Sequence, residues 1–146
     1  MNHFVSLEGR TVVVTGGAQG IGKAIAEWVT QLGGNIVAVD LNAEGLKSLA
    51  DALPRDRAHT VVGNVQDADL AARTVAEAVT RFGAVHGLVN NAGIVRPAMI
   101  EKMTQQQWRE VIDVHLSGSF YLLQAGGRPM IERSQAGDAT GGAIVN

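Results

Sequence analysis

The chain has 146 residues, a formal net charge of −2, 18 glycines and no cysteine. That length supports one domain with its own core. The near-balanced charge, without a basic stripe, excludes an electrostatic binder of nucleic acid or membrane surfaces, and the missing cysteines exclude disulfides and thiol catalysis.

The leading MNHFVSLEGR is too polar for a signal peptide, and no apolar run reaches membrane-spanning length, so a cytoplasmic protein is expected. His3, His59, His86 and His115 are scattered without metal-ligand spacing, and no metal site is expected.

Residues 10–15 contain TVVV, a β-branched run that predicts a strand buried on both faces. Gly16, Gly17 and Gly20 follow as a turn. A helix is predicted over residues 21–32, with Ile21, Ala24, Ile25, Trp28, Val29 and Leu32 inward and Gly33-Gly34 ending it. Residues 35–40 (NIVAVD) read as a second strand. Leu46, Leu49, Ala50 and Leu53 mark a second helix, stopped by Pro54.

A third strand is expected over 59–65. Asp67 or Asp69 caps the next helix, which turns Leu70 or Ala71, Val75, Ala78, Val79 and Phe82 inward. Residues 85–90 read as a fourth strand. TQQQ at 104–107 has capping-box spacing. Behind it Trp108, Val111, Ile112, His115, Leu116, Ser119, Leu122 and Leu123 form one long face, and Gly126, Gly127 and Pro129 weaken that helix near its end. SQAGDATGG is a polar loop, and AIVN opens a fifth strand. Strand–helix alternation with short connections predicts an α/β fold over 1–146. It is a single domain with a doubly wound parallel sheet covered on both faces.

TGGAQGIG at 15–22 joins the first strand to its helix. Gly16, Gly20 and Gly22 permit a tight turn and a close backbone approach, and the helix N-terminus beyond offers free N–H groups to a pyrophosphate. Strand before, amphipathic helix after and Asp40 at the end of strand two are the setting such a site requires. A plain structural turn is the competing reading. A carboxylate at Asp40 accepts hydrogen bonds from an adenosine ribose diol and repels a 2′-phosphate. Gln19, Leu41 and Asn42 flank the site without adding a cation, and Lys23 reads as a surface charge, so NAD is preferred over NADP. The competing reading of Asp40 is a cap or strand-end acid.

The ordered series TGGAQGIG, VD, GNV at 63–65, VNNAG, KMTQQQWREVIDVHLSGSF and GGAIVN resembles the short-chain dehydrogenase/reductase family across nearly the whole chain. The stretch GIVRPAMIEKMTQQQW looks most like members related to 3-oxoacyl-carrier-protein reductases. The resemblance implies a Rossmann-like fold, here incomplete at its C-terminal side. Gly16, Gly20, Ile21 and Gly22 then lie along the pyrophosphate and Asp40 at the adenosine ribose, with Gln19 and Leu41 beside them at the cofactor. Asn64 and Val65 sit beside the adenine, with Asn64 where the family usually has aspartate. Asn90, Ala92 and Gly93 pass close to the cofactor while Asn91 braces the sheet.

The resemblance also implies NAD(P)-dependent hydride transfer between a secondary alcohol and a ketone, or an acyl thioester. It further implies a small-molecule substrate and a homo-oligomeric parent, a dimer or tetramer. Family chemistry uses a serine, a tyrosine in YxxxK and a helix asparagine in a proton relay. The sole tyrosine, Tyr121, has Ala125 four residues on. His115 stands at the asparagine position, either as a relay group or as a satisfied core histidine beside Val111, Ile112 and Leu116. The order 3-2-1-4-5-6 of this fold makes a fifth strand interior, so AIVN would be an exposed apolar edge. Two functions therefore stand open. The first is the cofactor-binding half of an NAD-dependent oxidoreductase. The second is a non-catalytic, truncated nucleotide-binding module or assembly partner; a nonfunctional truncation product is the remaining alternative. The 146 residues alone are expected to bind NAD weakly or not at all and to show no turnover.

Overall fold

The computed structural model describes residues 5–146; the polar leader and His3 fall partly or wholly outside that range. Strands β1 (Thr11–Thr15), β2 (Asn35–Asp40), β3 (Ala58–Val62), β4 (Gly87–Val89) and β5 (Ala143–Val145) pair in parallel in the order β3-β2-β1-β4-β5. Helices α1 (Gly20–Gln31), α2 (Ala43–Ala52), α3 (Ala68–Phe82), α4 (Gln105–Ile112) and α5 (Gly118–Gln135) supply the crossovers. The third and fourth strands are shorter than their apolar runs, so residues 63–65 and 90–93 become loops at the strand ends.

The sheet is buried from both sides because its strands carry apolar residues in alternation on both faces. Val13, Val37, Val39 and Leu88 pack with Leu70, Val75, Ala78, Leu122 and Met130 under α3 and α5. Val14, Ile36 and Ala38 pack with Ala26, Val29, Leu46 and Leu49 under α1 and α2. Asn42 caps α2 by accepting the Gly45 N–H (2.9 Å), and Asp67 is the N-cap of α3. Thr104 and Gln107 form the reciprocal capping box expected from TQQQ.

Three expectations about the helices are corrected. In α1 the buried residues are Gly22, Ala26, Val29 and Thr30, whereas Ile21, Ala24 and Trp28 face outward. At its first turn the helix lies so close to the glycine turn that Gly22 has no room for a side chain, so proximity rather than bulk decides what is buried there. The long helix does not weaken at Gly126 to Pro129 but runs on to Gln135. Gly126 holds it there, because the bare backbone packs directly on Leu88. Packing against the sheet overrides the weak local propensity.

The third correction concerns the face of that helix. A π-helical turn, Asp113–Ser117, separates α4 from α5 and shifts the register. The residues buried within it and after it are Val114, Gly118, Leu122, Gly126 and Met130, one every fourth position. Trp108, Leu116 and Leu123 are exposed. No described helix is long and apolar enough to cross a membrane. Among the described residues no cluster of three His, Asp or Glu side chains could hold a metal.

Candidate active site at the strand ends

β1 and β4 are neighbours whose chains leave in opposite directions across the sheet, which makes the C-terminal end of this pair the switch point where such sheets bind ligands. A cleft of about 410 Å³ opens there. Gly16, Gln19, Gly20 and Ile21 line it from the β1–α1 turn, and Asp40 and Leu41 from the end of β2. Asn64 and Val65 follow β3; Asn91, Ala92, Gly93 and Ile94 follow β4; Val114 comes from the π turn.

The glycine turn is built by necessity. Gly16 has φ +69° and Gly20 φ +55°, a region that side chains disfavour. Gly22 is different: a Cβ there would lie 2.0 Å from Gly16 O and 2.7 Å from Asn91 Nδ2. It lets α1 pack onto the turn and does not itself line the cleft. The N-cap residue of α1, Gln19, makes no side-chain cap bond, and the first turn carries no acid. The helix therefore presents uncapped N–H groups beside the cleft, which suits an anion.

Asp40 does two jobs with its carboxylate. Oδ2 accepts the Ala18 N–H and Oδ1 the Asn42 N–H, both at 3.0 Å. The bonds hold the glycine turn and the start of α2 to the end of β2. Each oxygen keeps a further lone pair for a ligand. No lysine or arginine lines the cleft. Asn64 Oδ1 accepts the Gln66 N–H at 3.0 Å, which shapes the loop after β3.

Thr15 latches the two glycine-bearing loops together. Its Oγ1 accepts the Asn91 N–H (3.2 Å) and the Ala92 N–H (3.0 Å). Asn91 Nδ2 returns bonds to Thr15 O (3.0 Å) and Gly16 O (3.3 Å). Asn91 thus braces the sheet, as expected, and also lines the cleft. Asn90 lies outside the lining. Its Nδ2 donates to Asn146 Oδ1 (2.7 Å) and its N–H to Val145 O (2.9 Å), tying β4 to β5.

His115 is not a core residue. It is exposed and sits in the π turn with its Nε2 3.0 Å from Ile94 N and 2.9 Å from Ile94 O. Ile94 and Val114 join the cleft without having been expected there. Ile94 directly follows NNAG and was open to discovery; Val114 depends on the π turn, which no local pattern announces. Tyr121 lies elsewhere, in an apolar groove of about 560 Å³ between α3 and α5 with Val75, Val79 and Pro129. That groove is larger than the cleft but is lined only by α3 and α5, away from the strand ends, so the cleft is the better candidate.

The family description "short chain dehydrogenase" matches residues 10–146. The chain belongs to the short-chain dehydrogenase/reductase family. It is 44% identical over 143 residues to D-threitol dehydrogenase of Mycolicibacterium smegmatis, covering 96% of this chain and 52% of that protein. It is 38% identical over 143 residues to the 3-oxoacyl-[acyl-carrier-protein] reductase of Thermotoga maritima, covering 96% and 55%. A short-chain dehydrogenase/reductase from Brucella melitensis superposes with a TM-score of 0.83 at 38% identity, over 86% of this chain and 51% of that one. This chain thus spans about half the length of the relatives it matches. Membership in the short-chain dehydrogenase/reductase family implies a nicotinamide dinucleotide as cofactor.

Proposed function

We propose that the chain carries the dinucleotide-binding half of an oxidoreductase that uses NAD to interconvert a secondary alcohol and a ketone. The observation that carries the choice of NAD is Asp40: a carboxylate at the cleft end of β2, with no cation lining the cleft beside it. Its remaining lone pairs suit the two hydroxyls of an adenosine ribose, while a 2′-phosphate there meets unbalanced negative charge. The uncapped start of α1 suits the pyrophosphate. Two of the relatives carry names that fit this reading, a D-threitol dehydrogenase and a 3-oxoacyl-[acyl-carrier-protein] reductase.

When bound, NAD accepts or returns the hydride. The residues of this chain bind and orient it: Gly16 to Ile21 along the phosphates, Asp40 and Leu41 at the ribose, and Asn64 and Val65 at the adenine. Ala92 and Gly93 bring backbone close to the other end. The phenol and ammonium that the family uses for proton transfer are not among the cleft residues, and Tyr121 lies in a separate groove. On this reading the 146 residues alone are a binding unit without turnover. A titration of the chain with NAD and NADP, followed by amide chemical shifts, tests the reading. Weak NAD binding that shifts residues 16–21 and 40–41 is expected. Equal or tighter NADP binding, or no NAD binding at millimolar ligand, overturns it.

A further inference from the structure

Two buried helix threonines of this chain are treated in opposite ways. Thr30 in α1 donates its hydroxyl back to Glu27 O at 2.9 Å. A bond of that kind is how a helix satisfies a buried hydroxyl locally. Thr74 in α3 is more deeply buried, at 1% exposure, yet its Oγ1 has no partner among the described residues. A buried hydroxyl left alone costs free energy, and native interiors seldom keep one.

Thr74 lines a cavity of about 10 Å³ together with Thr15, Val39, Val65, Gly118 and Leu122. That is room for one water and for nothing larger. Two of these neighbours bring hydrogen-bonding capacity of their own. Thr15 Oγ1 accepts the Asn91 and Ala92 N–H groups, but its own O–H reaches only Val89 O, at a long 3.5 Å. Gly118 lets the Val65 backbone come close, since a Cβ there would lie 3.2 Å from Val65 O. That carbonyl accepts no hydrogen bond among the described residues. An unserved hydroxyl, a weakly used hydroxyl proton and a free carbonyl around one small space are the set of partners a buried water takes.

We propose that this cavity is a binding site for a single structural water, which accepts the O–H groups of Thr74 and Thr15 and donates to the C=O of Val65. The water joins α3 to the back of the cleft. Val65 lines the cleft itself, and Thr15 holds the Asn91 and Ala92 amides beside it. The site does not depend on the NAD reading, because the chain holds this water whether or not a dinucleotide occupies the cleft.

The sign of one substitution decides between a hydrated hydroxyl and a lone one. Thr74→Val keeps the branched shape and removes the hydroxyl. A hydroxyl with no partner is better replaced by a methyl, so valine would then stabilise the chain. A hydroxyl that holds a water leaves the Val65 carbonyl unserved when it is lost, and the unfolding constant in urea should rise about tenfold. Water-selective NOE spectra of the 146-residue chain should show a long-lived water beside the Thr74 methyl, the Val65 methyls and the Gly118 α-protons. Oxygen-17 relaxation dispersion, which does not see exchanging hydroxyl protons, should lose one long-lived water in Thr74→Val. Thr74→Ser keeps the hydroxyl and should keep that water. A parent chain without the water signals overturns the proposal, even where a variant fails to fold. So does a Thr74→Val protein as stable as its parent or more so, a water that persists in it, or a water lost in Thr74→Ser.

Discussion

His86 and Thr11 exchange two hydrogen bonds at the foot of the sheet. The His86 N–H donates to Thr11 O at 2.8 Å, and His86 Nδ1 accepts the N–H of the fully buried Thr11 at 3.0 Å. The second bond exists only while Nδ1 is bare. Burial lowers the His86 pKa from its ordinary 6.5, and the positive charges of Arg133 and Arg10 lower it further, against a smaller opposing pull from Asp138.

The folded chain thus binds this proton less readily than the unfolded one. Stability from His86 is complete above about pH 6.5 and is lost as pH falls through the lowered folded value. Urea midpoints measured between pH 8 and pH 5 should drop with acid. In His86→Asn, whose amide oxygen replaces Nδ1 and does not titrate, that part of the slope should vanish. An equal slope in both proteins would exclude His86 as the cause.

The two glycines of the first turn should respond differently to alanine. Gly20→Ala meets open space and bears only the strain of φ +55°, about 1–2 kcal/mol. Gly22→Ala drives a methyl into Gly16 O and Asn91 and should cost ~3 kcal/mol or more, because backbone cannot move aside cheaply. Thermal unfolding of the two variants gives the order, and a more stable Gly22→Ala would contradict the close packing of α1 on the turn.

Asp40→Asn tests the double use of the carboxylate. An amide has one oxygen for two backbone donors, so either Ala18 or Asn42 faces an NH₂ group. The loss should be about 1–3 kcal/mol in denaturant unfolding. Removing the charge should also raise NADP affinity relative to NAD. A variant as stable as its parent would show that the two backbone bonds matter little.

Arg133 holds β5 to the rest of the sheet. Nη1 donates to Val85 O (2.6 Å), Nη2 donates to Gly141 O, and Nε sits 2.7 Å from Asp138 Oδ2 in a charge contact whose angle is off a hydrogen bond. Arg133→Met should cost about 2 kcal/mol and speed amide exchange at residues 143–145 more than in β1. Uniform exchange changes across the sheet would argue against a local clasp.

Much of this architecture was legible in the sequence for physical reasons. Runs such as TVVV and NIVAVD mark strands buried on both faces, and the spacing of Thr104 and Gln107 encodes a cap made by neighbours in the chain. The glycine turn, Asp40, Asn64, Val65 and Ala92 converge because strand ends in a parallel sheet share one edge. What escaped depends on contacts remote in sequence. The buried face of α1 is decided by how near Gly22 comes to Gly16. The place of His115 is decided by Ile94, whose backbone lies beyond any helical periodicity. Asn90, expected at the cofactor, gives its side-chain bond to Asn146 instead.

The π turn has a consequence for how this helix tolerates change. Each residue added to an α-helix rotates the residues beyond it by ~100°. The widened turn at Asp113–Ser117 absorbs such a rotation, so the surface before it and the row that starts within it at Val114 and runs to Met130 are set in phase by one local feature. Deleting a single residue within it would turn Leu122 and Met130 away from Leu88 and lift His115 off Ile94 together. The segment works as a phase coupler between the two helices.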